Sequence, residues 1–222
     1  MVDTMKKHWF FDLDGTLART GEDIRNAWAG ALAALGRDTS RFDEVFSIGP
    51  TVEKITYALY DDASPELVER ILEKFRPLYD ESGFPNTVPY DGINEFLAAL
   101  KASGAKIYIV TNKRHAPTRS IAAKFGWDGI FDGIWSYDTY EVKYAKPDLM
   151  ARLLRELAVD PADAVMVGDT AGDVDTGRRN SMTSIGVAYG YGSREELAGA
   201  DVLCETVAEL AELAAGNAID GK

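Results

Sequence analysis

A single cysteine, Cys204, stands in 222 residues, so the chain can close no disulfide on itself. Such sparing use of cysteine suits a reducing compartment. Long apolar runs are missing as well. No segment approaches the roughly 18 consecutive apolar residues needed to span a membrane. Trp9, Phe10 and Phe11 stop at Asp12, far too short a run for the core of a signal peptide. The expected location is therefore the cytoplasm. Positive charge is scarce: 24 Lys and Arg stand against 36 Asp and Glu, a net charge of −12. No basic run offsets it, so nucleic acid and anionic membranes are not expected as partners. A small anionic substrate would also be repelled, unless its site supplies local positive charge or a metal. Repeats and low-complexity tracts are absent.

What remains is ordinary globular material, 46% hydrophobic and 27% charged, which excludes a disordered tail or a fibre. At about 150 residues per domain the length predicts one domain or one and a part. The chain opens with a short strand at Trp9–Phe11. Ile24, Ala27, Trp28, Ala31, Leu32 and Leu35 then recur at steps of three and four, the mark of one helix face, and Gly36 stops them. Ile48, Val52, Ile55 and Leu59 repeat that period. Ser64 before Pro65 is an N-cap followed by an N1 proline, opening a helix through Phe75. Residues 20–82 thus read as three or four helices without a strand.

Beyond Pro85 and Pro89 the rhythm changes. Helix faces at Ile93–Leu100, Ile121–Phe125 and Leu149–Leu157 alternate with apolar strands at Lys106–Val110, Gly133–Tyr137, Ala164–Val167, Ser184–Ala188 and Val202–Cys204. Ser193 with Glu196, and Thr206 with Glu209, match the capping box. The tail after Gly216 reads as frayed. Alternating strands and helices predict a doubly wound α/β fold with a parallel sheet covered on both faces. In such sheets ligands sit beyond the carboxyl ends of the strands. The residues found there are Asp12 and Asp14, Thr111 and Asn112, Asp138, then Gly168 and Asp169. Polar chemistry at the ends of several independent strands is a site pattern.

Asp12 and Asp14 place two carboxylates two residues apart at a strand's end. Buried together, they must share a proton or bind a cation. Gly15 lets the chain turn away while the acids stay presented.

The run FFDLDGTL resembles the first motif of the haloacid dehalogenase superfamily of phosphohydrolases. Thr111–Asn112, Lys146–Pro147 and Gly168–Asp169…Asp173 are similar, in order, to its second, third and fourth motifs. The resemblance implies a Rossmann-like core with an inserted α-helical cap. The core would be residues 1–18 and 86–216 and the cap residues 19–85. It implies a Mg²⁺ ion on Asp12, Asp169 and the Asp14 carbonyl, with Asp173 holding a metal-bound water or orienting Lys146. It implies Asp12 as nucleophile, forming an aspartyl-phosphate, and Asp14 as general acid and base. Thr111 and Asn112 would bind the phosphoryl group, and Lys146 would neutralise developing charge. Within the superfamily the spacing, with Gly190–Ser193, looks most like the phosphoglycolate phosphatases. Two stretches depart from that subgroup, Ala18–Thr20 and Thr176–Asn180. The expected partner is a small phosphorylated metabolite, and the expected state a monomer or homodimer.

Several residues have plainer readings. Lys143 is an alternative cation, but Pro147 makes Lys146 the better helix start. His115 fits a surface helix start, His8 the approach to the first strand, Cys204 a core position, and Arg178 and Arg179 a solvated helix face. Tyr137, Tyr140 and Tyr144 either pack the segment before Lys146 or line a pocket rim. Selection of the organic part of the substrate is expected in the helical insert, with Arg19, Arg25, Lys54 and the loop Phe46–Thr51 as candidates. Rival enzyme readings are a sugar-phosphate mutase, a pyrophosphatase and a nucleotidase. The rival outside enzymes is a phospho-accepting regulatory module.

Overall fold

The structure, a computed structural model, describes residues 6–216. The chain divides into two compact units. One takes the chain up to Arg19 and again from Pro89 onward; the other is Thr20–Val88. In chain order the elements are β1 (His8–Phe11), β2 (Ala18–Arg19), α1 (Gly21–Ala34), α2 (Phe42–Val45), α3 (Val52–Leu59) and α4 (Pro65–Asp80). Then come β3 (Val88–Pro89), α5 (Ile93–Ala102), β4 (Lys106–Thr111), α6 (His115–Lys124), β5 (Gly133–Ser136) and α7 (Lys146–Glu156). The last are β6 (Ala164–Gly168), α8 (Ala171–Arg179), β7 (Thr183–Val187), α9 (Arg194–Leu197), β8 (Val202–Cys204) and α10 (Val207–Ala214).

The larger unit is a six-stranded parallel sheet in the order β5-β4-β1-β6-β7-β8. The chain leaves β1 for β4 and β5 on one side and places β6, β7 and β8 on the other. That reversal beside β1 is the switch point at which doubly wound sheets bind ligands. Phe11 is in register with Ile109 on β4 and Val167 on β6. The three strands therefore end nearly level, and the turns leaving them converge.

Side chains alternate across a strand, and β1 shows it. Phe10 joins the cluster of Tyr108, Val110, Leu149, Met150, Leu153 and Met166. Trp9 and Phe11 point the other way and meet the edge of Phe96 on α5, with ring centroids 6.1 and 6.0 Å apart. All three aromatics of β1 are buried. Each contributes about 1.5–3 kcal/mol by leaving water, which anchors the strand that carries Asp12.

The smaller unit consists of α1 to α4. Trp28 on α1 packs between Phe42 and Phe75, with centroids 6.2 and 5.9 Å away. Ser64 caps α4 by accepting from the Leu67 N–H, with Pro65 as the first helical residue, as its sequence implies. Asp23 is a buried charge within this unit. It accepts from the Asn86 amide and side chain and from the Thr87 hydroxyl, the last at 2.6 Å.

The structure corrects some local readings. Ile48 is not part of α3, because Pro50 disfavours helical backbone at Gly49, whose φ is +111°; α3 starts after its cap, Thr51. The one-turn α2 has no periodic signal of its own. Thr206 caps α10, but the Glu209 carboxylate accepts from the Glu205 N–H, so the second half of the expected box is absent. A full box instead joins Thr170 and Asp173 at α8. The tail after Gly216 lies outside the described residues. No helix among the described residues is long and apolar enough to cross a membrane.

Candidate active site

β1 ends at Phe11, and the Asp12 N–H still reaches the Val167 carbonyl at 3.0 Å, which holds the residue at the sheet's edge. The chain then turns sharply. The Leu13 carbonyl accepts from Leu17 at 3.0 Å and Ala18 at 3.1 Å. Gly15 sits at φ +81°, and a Cβ there would stand 2.0 Å from Asp169 Oδ2. Glycine is thus required twice over, by backbone conformation and by close approach.

β6 ends at Gly168, where a Cβ would fall 2.2 Å from that of Asp173. Asp169 is fully buried. Its Oδ1 accepts from the Thr16 hydroxyl at 3.1 Å and its Oδ2 from the Tyr191 N–H at 2.7 Å. Gly190 and Gly192 let the loop after β7 lie directly against it. Asp173, in the first turn of α8, accepts from the Thr170 N–H and hydroxyl on Oδ2. Lys146, the first residue of α7, is buried. It donates to Asp12 Oδ1 at 2.8 Å and to Asp173 Oδ1 at 2.6 Å.

Asp12, Asp169 and Asp173 each offer an oxygen within 4.8 Å of the others. Burial pushes the Asp169 carboxyl up to about 7, helped by repulsion from Asp12 and Asp173. Burial also pushes Asp12 up, against the pull of Lys146. Burial would strip the proton from Lys146, but the two aspartates outweigh it and hold the ammonium above its ordinary value. With all three ionised, three carboxylates against one ammonium would leave two negative charges in a buried site. That charge and an all-oxygen donor set fit a hard divalent cation such as Mg²⁺. Asp14 is not in this group: its carboxylate faces Lys113 instead.

Thr111, the last residue of β4, is 2% exposed, and its Oγ1 accepts from the Lys113 N–H at 3.2 Å. Asn112 comes next in the chain and is exposed. Of the two candidate cations, Lys146 enters the cluster, whereas Lys143 is exposed and lies over the Tyr137 ring. Tyr140 and Tyr144 pack on Arg152, which pairs with Glu156. Asp138 accepts from the His115 N–H at the start of α6. His8 stacks on Tyr108, and Arg179 pairs on the surface with Asp148. Cys204 is core, its thiol pushed up to about 12 by burial. In the helical unit Arg25 pairs with Asp43. Arg19 lies over the Tyr90 ring at 4.7 Å.

Sequence reasoning missed Lys113. Its Nζ lies 2.9 Å from both carboxylate oxygens of Asp14, with the lysine side chain 6% exposed. It also missed the amide of Tyr191, because a backbone donor leaves no trace in residue type. The flanking Gly190 and Gly192 were its one visible signal.

A doubly wound sheet whose central strand leads into an aspartate, joined there by a lysine and two further aspartates, defines a Rossmann-like core with a buried acid cluster at its switch point. The family model for haloacid dehalogenase-like hydrolases matches residues 6–180, and the chain belongs to that family. It is 29% identical over 201 residues to the phosphoglycolate phosphatase of Psychrobacter arcticus, covering 86% of this chain and 87% of that protein. It is 33% identical over 193 residues to a 5'-nucleotidase of Pseudomonas aeruginosa, covering 84% and 85%. It superposes on CbbY from Rhodobacter sphaeroides in complex with phosphate with a TM-score of 0.77. That match has 27% identity and covers 93% of this chain and 96% of the other. The protein is thus a hydrolase of the phosphatase kind, and the regulatory-module reading is set aside.

Proposed function

We propose that the chain is a Mg²⁺-dependent phosphomonoesterase that hydrolyses a small phosphorylated metabolite of the phosphoglycolate type through an aspartyl-phosphate on Asp12. One observation carries the reading: Asp12 ends the central strand with Oδ1 held by Lys146 and with Asp169 and Asp173 beside it.

Asp12, Asp169 and the Asp14 carbonyl would hold the ion, with Asp173 beside it through its own carboxylate or a water. When bound, Mg²⁺ withdraws negative charge from the phosphoryl oxygens. With Oδ1 restrained by Lys146, Asp12 Oδ2 attacks phosphorus. The bond from Asp12 to phosphorus forms as the ester P–O bond breaks. Asp14 gives its proton to the leaving alkoxide. Asp14 then takes a proton from water, whose oxygen attacks the same phosphorus and frees both phosphate and the Asp12 carboxylate. The Thr111 hydroxyl donates to the transferring group, and Lys146 offsets its growing charge. These residues address only the phosphoryl group and the ester oxygen, so we assign choice of the rest of the organic part to the helical unit Thr20–Val88.

The test is turnover of 2-phosphoglycolate and p-nitrophenyl phosphate with Mg²⁺ and after chelation, with quenching to trap an acyl-phosphate. Activity that survives chelation, or turnover with no trapped phosphoenzyme, would overturn the reading. The likeness to a 5'-nucleotidase, at 33% identity, favours a second substrate class. Higher kcat/KM on nucleoside monophosphates than on 2-phosphoglycolate would select it.

A further inference from the structure

Lys113 lies outside the acid cluster, in the turn after β4. Its ammonium is 2.9 Å from Asp14 Oδ1 and 2.9 Å from Oδ2. The lysine side chain is 6% exposed and the aspartate 17%. The lysine is tied at its other end, since its backbone N–H donates to the Thr111 hydroxyl oxygen. A pair this withdrawn from solvent is a poor stabiliser, because desolvation consumes most of its Coulomb energy. Its geometry has a different consequence. One donor centred on both oxygens fixes both side-chain rotations of the aspartate, whereas a single-oxygen contact leaves the carboxylate free to swing. Asp14 stands between Leu13 and the left-handed Gly15, so its backbone is set by the turn and its carboxylate direction is set by Lys113.

We propose that Lys113 is a positioning residue that aims the Asp14 carboxyl at the leaving-group oxygen. The proposal rests on the reading of Asp14 as general acid. Misplacing a reacting group by about 1 Å can cost on the order of a hundredfold in rate. A buried lysine beyond Thr111 then has a catalytic consequence without touching substrate.

The experiment compares Lys113→Met, Lys113→Arg, Asp14→Asn and the double variant Asp14→Asn/Lys113→Met on 2-phosphoglycolate and on p-nitrophenyl phosphate, by the single-turnover rate of phosphoenzyme formation, because the later hydrolysis with Asp14 as base is common to both substrates. The first releases a poor alkoxide that needs a proton; the second releases a phenolate that leaves unaided. Lys113→Met is expected to lower that rate on 2-phosphoglycolate by about tenfold to a hundredfold. On p-nitrophenyl phosphate it is expected to change that rate less than about threefold, with the half-saturating substrate concentration little altered on either. Lys113→Arg, whose fork also spans a carboxylate, recovers part of the loss. The double variant should be no slower than Asp14→Asn, because a residue acting through Asp14 has nothing left to position. If the two losses multiply, or both substrates fall together in Lys113→Met, Lys113 acts on substrate or folding and the proposal is wrong. If Asp14→Asn itself shows no leaving-group dependence, the general-acid reading fails and takes the proposal with it. Should Lys113→Met not fold, Lys113→Gln makes the same comparison.

Discussion

The Nζ of Lys146 stands 2.6 Å from Oδ1 of Asp173, and the two side chains are 6% and 2% exposed. The other oxygen of Asp173 closes the capping box with Thr170. The helix start of α8 therefore aims Asp173, Asp173 aims Lys146, and Lys146 holds Asp12. Removing the lysine leaves two buried carboxylates without their cation. Breaking a buried pair in this way costs about 3–5 kcal/mol. Lys146→Met is expected to melt well below the parent and to lose turnover by at least about a thousandfold. A calorimetric melt alongside steady-state kinetics checks both, and an unchanged melting temperature would contradict the ion-pair network.

Asp12→Asn should abolish turnover while the fold persists, because the amide keeps the shape of the side chain but is no nucleophile. Activity is expected below about 1% of the parent, as loss of a nucleophile costs several powers of ten. Circular dichroism and kinetics on one preparation decide the matter, and a larger residual rate would remove Asp12 from the nucleophile's role.

If the acid cluster holds the proposed Mg²⁺, metal and proton compete for it. The Asp169 carboxyl is pushed up to about 7 by burial and by its aspartate neighbours, from an unfolded value near about 4. The folded state thus holds a proton that the unfolded state has lost between those values. Stability of the metal-free protein is expected to fall as pH rises from about 4 to about 7 and to level off above. Mg²⁺ should restore it, so the ion should raise the melting temperature more at pH 8 than at pH 5. A thermal-shift series at the two pH values measures this, and equal shifts would exclude these acids as its ligands.

Asp132 has the opposite sign. Burial would raise its carboxyl, but the Ile107 N–H and the ammonium groups of Lys101 and Lys106 hold it down, at about 2. Its contribution is present above pH about 4 and is lost as pH falls toward about 2. Discounted for screening at the two lysines, it amounts to about 1 kcal/mol. Asp132→Asn should lower stability by about that amount at pH 7 and by almost nothing at pH 2, read from denaturant midpoints. An equal loss at both pH values would mean that packing, not charge, is at stake.

Much of the core could be read in advance because each element satisfies a local rule. The strand Lys106–Thr111 carries an unbroken apolar run at residues 107–110, α7 starts at Lys146 before a proline, and Ser64–Pro65 opens α4. Ile48 kept the helical spacing yet lies in a loop, because Pro50 overrides periodicity. The box at Thr170 went unread because its partner three residues on is Asp173, where Glu or Gln is the usual signal.

Asp12, Thr111 and Asp169 were legible because each stands at a strand end, a place that hydrophobic patterning alone locates, whereas Lys146 was legible only through the resemblance of Lys146–Pro147 to a family motif. Which of them touch was not legible. Lys146 reaches Asp12 across 134 residues and Lys113 reaches Asp14 across 99. No local spacing encodes such pairs. Lys143, Lys146 and Lys113 are the same residue type in similar stretches of sequence. Only the parallel register of β1 between β4 and β6 decided that one lysine is solvated, one is buried between two aspartates and one faces Asp14. Sequence by itself determined the elements and the residue types at their ends, through periodicity and backbone preference. The tertiary structure decided the partners, because Coulomb forces and desolvation act on distance in space.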